Sequence, residues 1–490
     1  MNGLIAKDIT FQYDKKGIPI LEHFNLELKK GSITVITGTS GCGKSTLCGI
    51  LAGIYPRYGG VLQSGKIICD GIDIGTSSVS QKAQLIGMMF QNPDLQFCMD
   101  TVENELIFCL ENICIDIKEI PRRVTEALEF CEVSQLRKRM LHTLSGGEKQ
   151  KVNLACIAAM RSPYIILDEP FANIDLESGK RLCEQLRQFQ RERGTTLLIV
   201  DHNISNFLSI AEEIIVIGSK GSILQRGIEV GNLSEWVDNL FQMGVSVPQR
   251  SYLKMIAPQY REKEEVILSL QNVASRYNNT EILKDISVNF MKGHMIAITG
   301  ESGSGKSTIL AVFSRMQKYM GSIQLEGREI SKMARKHYAR QVGIIFQNPQ
   351  DQFVASTVYE EIVASMCRKG RGEEEIKLQI QALLEELGLW KYREYSSYML
   401  SQGQQRRLAV GALLAYECKV LLCDEPTYGQ DRKSIESIMN ILLRRVHEDG
   451  LTVIFSTHDM ELAKTYSDYH YYIKNGQMYD SKKKEGENAF

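Results

Sequence analysis

One stretch of the sequence occurs twice, first as Gly38-Thr39-Ser40-Gly41-Cys42-Gly43-Lys44-Ser45-Thr46 and again as Gly300-Glu301-Ser302-Gly303-Ser304-Gly305-Lys306-Ser307-Thr308. Both copies fit G-x-x-x-x-G-K-[ST], the pattern of a phosphate-binding P-loop. Each follows a short apolar run, residues 32–37 and 295–299, and leads into a segment of helical pattern. Because strand, glycine loop and helix is the context in which such a loop binds phosphate, the sequence predicts two nucleotide sites.

The residue types in this pattern are the ones that hold a polyphosphate. Glycines let the backbone curl so that successive N–H groups face the phosphates, and the helix that follows adds the positive end of its dipole. In such a loop Lys44 and Lys306 reach the β- and γ-phosphates, and the hydroxyls of Ser45 and Ser307 bind Mg²⁺.

The bulk composition indicates a globular cytosolic chain. The 490 residues fit about two to four domains, and the formal net charge of −1 gives no global field that would attract nucleic acid. The sequence has no run of about 18 uncharged apolar residues and no signal-peptide core. None of the twelve cysteines forms a C-x-x-C pair, so we expect buried thiols, with Cys42 a tolerated spacer in its loop.

The chain is an internal duplication. Beyond the glycine loops, the landmarks recur at a constant spacing: Gln91 and Gln347, Ser145 and Ser401, Asp168 and Asp424, Glu169 and Glu425, His202 and His458. Strand-like and helical segments alternate in both copies, which indicates an α/β fold. We predict a first domain over 1–232, a linker and appendage over 233–264, a second domain over 265–480 and a charged tail over 481–490.

Each copy carries an apolar strand that ends in two carboxylates. The first reads Ile165-Ile166-Leu167-Asp168-Glu169 and the second Leu421-Leu422-Cys423-Asp424-Glu425. A buried strand delivers such residues to the sheet edge where nucleotides bind. The first carboxylate of each pair suits Mg²⁺ or its waters, and the second suits polarising the attacking water. An isolated pair would indicate a cap after a strand, but these pairs lie downstream of a P-loop.

Leu144-Ser145-Gly146-Gly147-Glu148 opens a helix-like run, and its counterpart is Leu400-Ser401-Gln402-Gly403-Gln404. Serine is a good N-cap, and glycines permit close backbone approach. With the P-loops and the Asp-Glu strands, these stretches resemble the ATP-binding cassette (ABC) ATPase family over nearly the whole chain. The resemblance implies ATP hydrolysis with Mg²⁺ by two tandem P-loop NTPase domains. Each would have a RecA-like core sheet, an antiparallel β subdomain and a helical subdomain.

The resemblance also implies roles for individual residues. Asp175 and Asp431 match the D-loop of the family. The implied catalytic set, including the Q-loop glutamines and the switch histidines, is Glu169, Glu425, His202, His458, Gln91 and Gln347. The implied metal ligands are Ser45, Gln91, Asp168, Ser307, Gln347 and Asp424. The implied ATP contacts are both P-loops, the adenine-stacking Tyr13 and Tyr277, and the signature residues Ser145, Gly146, Gly147, Ser401, Gln402 and Gly403.

In this family two cassettes sandwich two ATP molecules head to tail. The resemblance therefore implies that Lys44 and Glu169 share a site with the signature Ser401, and Lys306 and Glu425 with Ser145. One departure is Gln402, which stands where the first signature glycine is usual. Its backbone N–H still suits a phosphate, but its side chain adds bulk. The Lys44 site can therefore differ in rate or affinity, although we expect both sites to hydrolyse ATP.

The segments that follow Gln91 and Gln347 resemble one subfamily in particular. They read Phe90-Gln91-Asn92-Pro93-Asp94-Leu95-Gln96-Phe97 and Phe346-Gln347-Asn348-Pro349-Gln350-Asp351-Gln352-Phe353. They resemble the energy-coupling ATPases of energy-coupling-factor (ECF) importers of vitamins or metal ions. That resemblance implies a peripheral protein on the cytoplasmic face of the cell membrane. Its partners would be a transmembrane coupling protein and a small integral substrate-binding membrane protein.

Acidic residues of these segments are candidates for ion pairs with the membrane partner. They are Asp94, Glu103, Glu105, Asp351, Glu360 and Glu361. Solvated surface charge is an equally good interpretation for any one of them.

Two other functions are compatible with part of the sequence. A fused sugar-importer ATPase has a similar length, but its second cassette usually has degraded catalytic residues, whereas this chain has Glu425 and His458. A soluble tandem ATPase acting on ribosomes or nucleic acid would carry a long charged helical linker or zinc cysteines, which this sequence lacks. We therefore expect no nucleic-acid partner.

Overall fold

The computed structural model describes residues 3–15, 17–171, 176–228, 230–245, 265–277, 280–301, 303–366, 372–427 and 429–481. The chain forms two compact units, Met1–Arg250 and Ser251–Phe490. Among the described residues, every helix is too short or too polar to cross a lipid bilayer.

The first unit combines two sheets with helices. Its strands are β1 (Leu4–Gln12), β2 (Leu21–Leu28), β3 (Ile33–Gly38), β4 (Val61–Cys69), β5 (Ile72–Asp73), β6 (Ile86–Met89), β7 (Tyr164–Asp168), β8 (Thr196–Val200), β9 (Glu213–Ile217) and β10 (Ile223–Ile228). Its helices are α1 (Lys44–Leu51), α2 (Val79–Leu85), α3 (Val102–Asn112), α4 (Ile120–Phe130), α5 (Gly146–Met160), α6 (Leu176–Arg193) and α7 (Leu233–Gln242).

The two sheets differ in direction and burial. The small antiparallel sheet has the order β2-β1-β4-β5, and the central six-stranded sheet has the order β10-β9-β3-β8-β7-β6. The central sheet is parallel except for the β9–β10 edge. Strands β3, β7 and β8 are buried at every residue because both faces of the parallel sheet are covered. Strand β2 instead alternates buried and exposed residues, as expected when one face meets solvent.

The second unit repeats this architecture. Its strands are β11 (Val266–Tyr277), β12 (Thr280–Met291), β13 (Met295–Gly300), β14 (Met320–Leu325), β15 (Arg328–Glu329), β16 (Val342–Ile345), β17 (Val420–Cys423), β18 (Thr452–Ser456), β19 (Tyr469–Lys474) and β20 (Gln477–Asp480). Its helices are α8 (Lys306–Phe313), α9 (Arg335–Ala339), α10 (Val358–Ser365), α11 (Glu373–Glu386), α12 (Gln402–Ala415), α13 (Arg432–Asp449) and α14 (Met460–Tyr466). The sheet orders, β12-β11-β14-β15 and β16-β17-β18-β13-β19-β20, confirm the predicted duplication of an α/β fold.

Each unit has a hydrophobic core on both faces of its central sheet. Ile166 of β7 packs with the antiparallel sheet and α1, whereas its neighbours Ile165 and Leu167 pack with the helices on the other face. Successive strand residues point to opposite faces, so one apolar strand serves both cores. Helix α7 adds Leu240 to the helical core, so the start of the predicted appendage packs against the first unit.

Candidate functional site

Four neighbouring parallel strands of the first unit end at one edge, and a predicted site residue follows each of them. The strand order is β3, β8, β7, β6. The P-loop follows β3, His202 comes soon after β8, Asp168 and Glu169 end β7, and Gln91 comes soon after β6. The carboxyl ends of parallel strands meet at the same edge, so residues far apart in sequence become neighbours.

The second unit builds the same edge from its own strands. Their order is β13, β18, β17, β16. The residues that follow them are the second P-loop with Lys306, then His458, Asp424 with Glu425, and Gln347.

The lysine of each P-loop folds back over its own loop. Lys44 Nζ donates to the carbonyl oxygens of Gly38 at 2.8 Å and Thr39 at 3.1 Å. Lys306 Nζ repeats this arrangement on Gly300 at 2.8 Å and Glu301 at 3.1 Å. The equal geometry places both ammonium groups against the backbone of their loops, where a phosphate oxygen could replace a carbonyl as the acceptor.

The loop backbone fits a phosphate cradle. The residue before each loop helix, Gly43 or Gly305, has a left-handed φ of 100° or 110° and supplies no side-chain cap. No capping side chain from Gly43 or Gly305 therefore occupies the first N–H groups of α1 and α8, and these groups suit the binding of an anion. A Cβ on Gly38 would lie 2.1 Å from the Ile217 carbonyl oxygen, so this position requires glycine.

The first carboxylate of each strand pair lies beside the P-loop serine. Ser307 Oγ donates to Asp424 Oδ1 at 3.1 Å, and Ser456 Oγ donates to the same oxygen at 2.7 Å. Burial raises the pKa of Asp424, and burial together with the Glu169 charge raises the pKa of Asp168 to about 7. A cation bound beside Asp168 or Asp424 would stabilise the charged carboxylate and so lower its raised pKa.

The oxygen atoms present fit Mg²⁺. Asp168 Oδ1 is buried and has no hydrogen-bond partner within the part of the chain that the structure describes. The same described residues contain no cluster of three or more His, Cys, Asp or Glu side chains that would cage a metal. One hydroxyl and one carboxylate per site match Mg²⁺, which usually completes its shell with water and nucleotide phosphates.

The second carboxylate of each pair contacts the switch histidine or the Q-loop glutamine. In the first unit Gln91 Nε2 donates to Glu169 Oε2 at 2.6 Å, and His202 Nδ1 lies 3.6 Å from Glu169 Oε1. In the second unit His458 Nδ1 lies 3.0 Å from Glu425 Oε2. Glu169 and Glu425 have left-handed φ values of 48° and 49°. Such backbone strain on non-glycine residues is typical of functional sites.

The charges around the two histidines differ. Burial lowers the pKa of His202, but the carboxylates of Glu169 and Asp201 outweigh it and raise the pKa to about 9. Asp201 is buried and lies 3.5 Å from His202 Nδ1, although the sequence patterns did not single it out. The matching residue of the second unit is the uncharged Thr457. Comparing the residues that precede the two histidines would have revealed this difference.

The two predicted adenine-stacking tyrosines are placed at the ends of equivalent strands. Tyr13 is 47% exposed, and its hydroxyl lies 2.9 Å from Thr46 Oγ1 of the P-loop. Burial raises the pKa of Tyr13 to about 12, so the phenol stays protonated. Tyr277 is 65% exposed at the end of β11. Both side chains are therefore partly accessible to solvent.

The signature stretches form the start of α5 and α12 in the same way. Ser145 and Ser401 are the N-caps, and each accepts a hydrogen bond from the backbone N–H three residues later in a capping box. Gln402 occupies the first helical position and is exposed. The departure from glycine therefore leaves the helix start unchanged and adds a side chain on its solvent side.

The structure corrects two of the predicted partner-facing charges. Glu105 and Glu361 are 2% exposed, and each carboxylate accepts two backbone N–H groups of the preceding loop at 2.8–2.9 Å. A buried carboxylate that satisfies orphan donors holds the loop in place. These glutamates therefore brace the loop from inside and do not face a partner.

The other acidic residues of these segments have partners on their own unit. Glu103 pairs with Arg137 at 2.6 Å, and Asp94 pairs with Lys149 at 2.6 Å. Asp351 accepts from Asn348, and Glu360 belongs to the capping box of α10. Of the remaining predictions, Ser302, Asp175, residues 246–264 and residues 482–490 lie outside the described residues. Asp431 is the buried N-cap of α13.

The P-loops, the Asp-Glu strand ends and the parallel sheets define a tandem P-loop ATPase that uses ATP with Mg²⁺. The sequence profile of the ABC transporter family matches residues 21–172 and 283–428. The chain belongs to this family.

Two curated relatives match over almost their full length. One, from Bacillus subtilis (strain 168), carries the name "Putative HMP/thiamine import ATP-binding protein YkoD" and is 34% identical over 95% of this chain and 88% of its own. A second, from Streptococcus mutans, is named "Putative ABC transporter ATP-binding protein" and is 30% identical over 96% of this chain and 89% of its own.

A solved structure supports the fold alone. It is a chain from the complex of archaeal ribosomal stalk protein aP1 and archaeal ribosome recycling factor aABCE1. The match covers 97% of this chain and 90% of that one, with a TM-score of 0.63 and 19% identity. At this identity, the likeness gives no reason to assign a ribosomal function.

Proposed function

We propose that this chain is the ATP-hydrolysing subunit of a membrane importer of the energy-coupling-factor class. The observation that carries the proposal is the 34% identity to an import ATP-binding protein over 95% of this chain. The name of that relative makes a thiamine-related solute the first candidate among the vitamin and metal-ion substrates of the class. The loop sequences after Gln91 and Gln347, which resemble those of energy-coupling ATPases, support the same class.

In the proposed mechanism each cassette contributes a complete catalytic edge. Glu169 or Glu425 polarises the attacking water, and the lysine of the P-loop binds the β- and γ-phosphates. His202 or His458 contacts the γ-phosphate, and Gln91 or Gln347 orients the water. Asp168 and Ser45, or Asp424 and Ser307, would hold Mg²⁺, which supplies positive charge for the phosphate oxygens. All of these residues are present in both units, which disfavours the sugar-importer alternative.

The two active sites are proposed to be composite. Each would be completed by the signature helix start of the other cassette, Ser401 for the Lys44 site and Ser145 for the Lys306 site. ATP then bridges the cassettes through its γ-phosphate, and hydrolysis removes the bridge. We also retain the proposed boundaries 1–232, 233–264, 265–480 and 481–490 for the two cassettes, the linker and the tail.

The proposed partners are a transmembrane coupling protein and a small integral substrate-binding protein, with this chain peripheral on the cytoplasmic face. The loops after both glutamines support a docking surface. Leu95 is 78% exposed and Val354 is 81% exposed, so each loop presents an aliphatic side chain to solvent. Exposed aliphatic side chains in the two corresponding loops, although not at the same position, suit contact with the apolar face of a partner's helix.

The test is a pull-down of the tagged chain from detergent-solubilised membranes of its own host, with partners identified by mass spectrometry. We expect a coupling-type membrane protein and at least one small integral binding protein. The variant Leu95→Ser/Val354→Ser should lose these partners and keep basal ATP hydrolysis. Ile117→Ser, at another site that is 76% exposed, is the matched control and should keep them. Recovery of ribosomal proteins or nucleic acid instead would overturn the importer assignment.

A further inference from the structure

A buried cation lies beside the catalytic edge of the second unit. Arg406 is in the second turn of α12, the helix that begins at the signature serine, and is 4% exposed. Its Nη1 donates to the carbonyl oxygen of Glu425, and its Nη2 donates to the carbonyl oxygen of Gln347 at 2.7 Å. The guanidinium therefore joins three elements: the signature helix, the strand end with the proposed water-polarising glutamate, and the Q-loop.

We infer that Arg406 is a positioning residue that fixes the backbone of Glu425 and Gln347 relative to each other in the second cassette. This inference rests on the proposed roles of those two residues. The reason lies in the fork of the guanidinium, which places two donors in fixed directions and loses little freedom when both are used. Hydrogen bonds from a charged donor are stronger than neutral ones, and their strength increases in a buried site.

The backbone of Glu425 needs such support. Its φ of 49° is a left-handed conformation that is unfavourable for a non-glycine residue. Its N–H is already held by Ser456 Oγ at 2.9 Å, and Arg406 holds its carbonyl. The peptide groups on both sides of the strained Glu425 Cα are therefore held by hydrogen bonds, which restricts the position of its carboxylate.

The first cassette offers a natural comparison. The residue at the matching position is Gln150, which is also buried. Its Nε2 donates to the Gln91 carbonyl at a longer 3.4 Å, and its Oε1 has no hydrogen-bond partner among the described residues. A neutral amide thus makes a weaker contact with the Q-loop, and the tie to the glutamate is a feature of the second unit.

The test uses the full-length chain with Arg406→Gln, which introduces the residue that the first cassette tolerates at this place. Arg406→Lys keeps the charge and removes the fork. Steady-state ATP hydrolysis gives kcat and KM, and hydrogen–deuterium exchange reports on the loops. We expect Arg406→Gln to lower kcat about five- to tenfold with KM within twofold, and Arg406→Lys to restore kcat in part. Exchange should rise in residues 347–353 of the second cassette, while residues 91–97 of the first serve as the control within the same molecule.

The outcomes separate positioning from a structural role. Unchanged kcat and unchanged exchange in residues 347–353 would overturn the inference. Loss of kcat in parallel with a large rise in exchange across both cassettes would overturn it too, because that pattern means general unfolding. If Arg406→Gln does not fold, Arg406→Lys alone must show the kcat loss at near-parent KM. Glu425→Gln is measured in parallel, and parent activity in that variant would refute the proposed role of Glu425. In that case the hydrogen–deuterium exchange of residues 347–353 alone would show whether Arg406 fixes the Q-loop.

Discussion

Replacing both proposed water-polarising glutamates tests the chemistry directly. Glu169 and Glu425 are each 8% exposed, and glutamine has nearly the same shape, so Glu169→Gln/Glu425→Gln should leave the packing intact. The change removes the carboxylate that would accept a proton. General-base assistance contributes about 10²–10⁴-fold to a rate, which corresponds to about 3–5 kcal/mol of barrier. The P-loop lysines do not touch the changed atoms, so the loss should fall on kcat and leave ATP affinity within severalfold.

The assay combines steady-state phosphate release with retention of radiolabelled ATP after rapid gel filtration. We expect turnover to fall at least 100-fold in the double variant, with intact ATP retained; each single variant should also trap ATP and lose most turnover. Glu326→Gln is the matched control. Glu326 has a left-handed φ of 47°, similar to that of Glu425, but lies in an exposed turn where it pairs with Lys419 at 2.6 Å. A double variant that hydrolyses ATP at the parent rate would refute the role assignment.

Three further predictions concern a P-loop glycine, the predicted adenine contact of Tyr13 and the buried carboxylate of Glu361. Gly303 and Gly327 have φ values of 77° and 74° and open space where a Cβ would stand, so alanine at either should cost about 1 kcal/mol of stability through the strained φ alone. Only Gly303→Ala should weaken ATP binding, because only Gly303 lies in a P-loop, and equal binding in both variants would contradict the proposed phosphate site. Tyr13→Ala should weaken binding of a fluorescent ATP analogue about five- to tenfold, while Tyr13→Phe should stay close to the parent, because stacking needs the ring. Glu361→Ala leaves two backbone N–H donors unsatisfied and should lower the free energy of unfolding by about 2–4 kcal/mol, measured by urea denaturation. A change below about 0.5 kcal/mol would contradict the claim that the Glu361 carboxylate holds the preceding loop in place.

Some features followed from local patterns alone. The P-loop glycines, the apolar strand runs and the repeated spacing predicted the α/β fold and its duplication, because these signals depend on backbone freedom and side-chain periodicity within short segments. The predicted apolar strand that ends at Asp168 is β7, Tyr164–Asp168, and the helix predicted to open after Ser145 is α5, Gly146–Met160. Ser145 is the N-cap of this helix, as its residue type predicts, because its side chain takes part in a capping box.

The relations between segments were decided by the tertiary structure. Glu105 and Glu361 looked like surface charges in the sequence, and only the path of the preceding loop shows that they are buried beneath it. Glu169 lies beside His202 because β7 and β8 are adjacent, and the neighbouring Asp201 adds its charge to the same histidine. Arg406 lies far in sequence from Gln347 and still binds its carbonyl. The sequence by itself determined which chemical groups are present and the local structure that carries them; the strand order determined which groups meet, because contacts between distant segments arise only when the sheet is assembled.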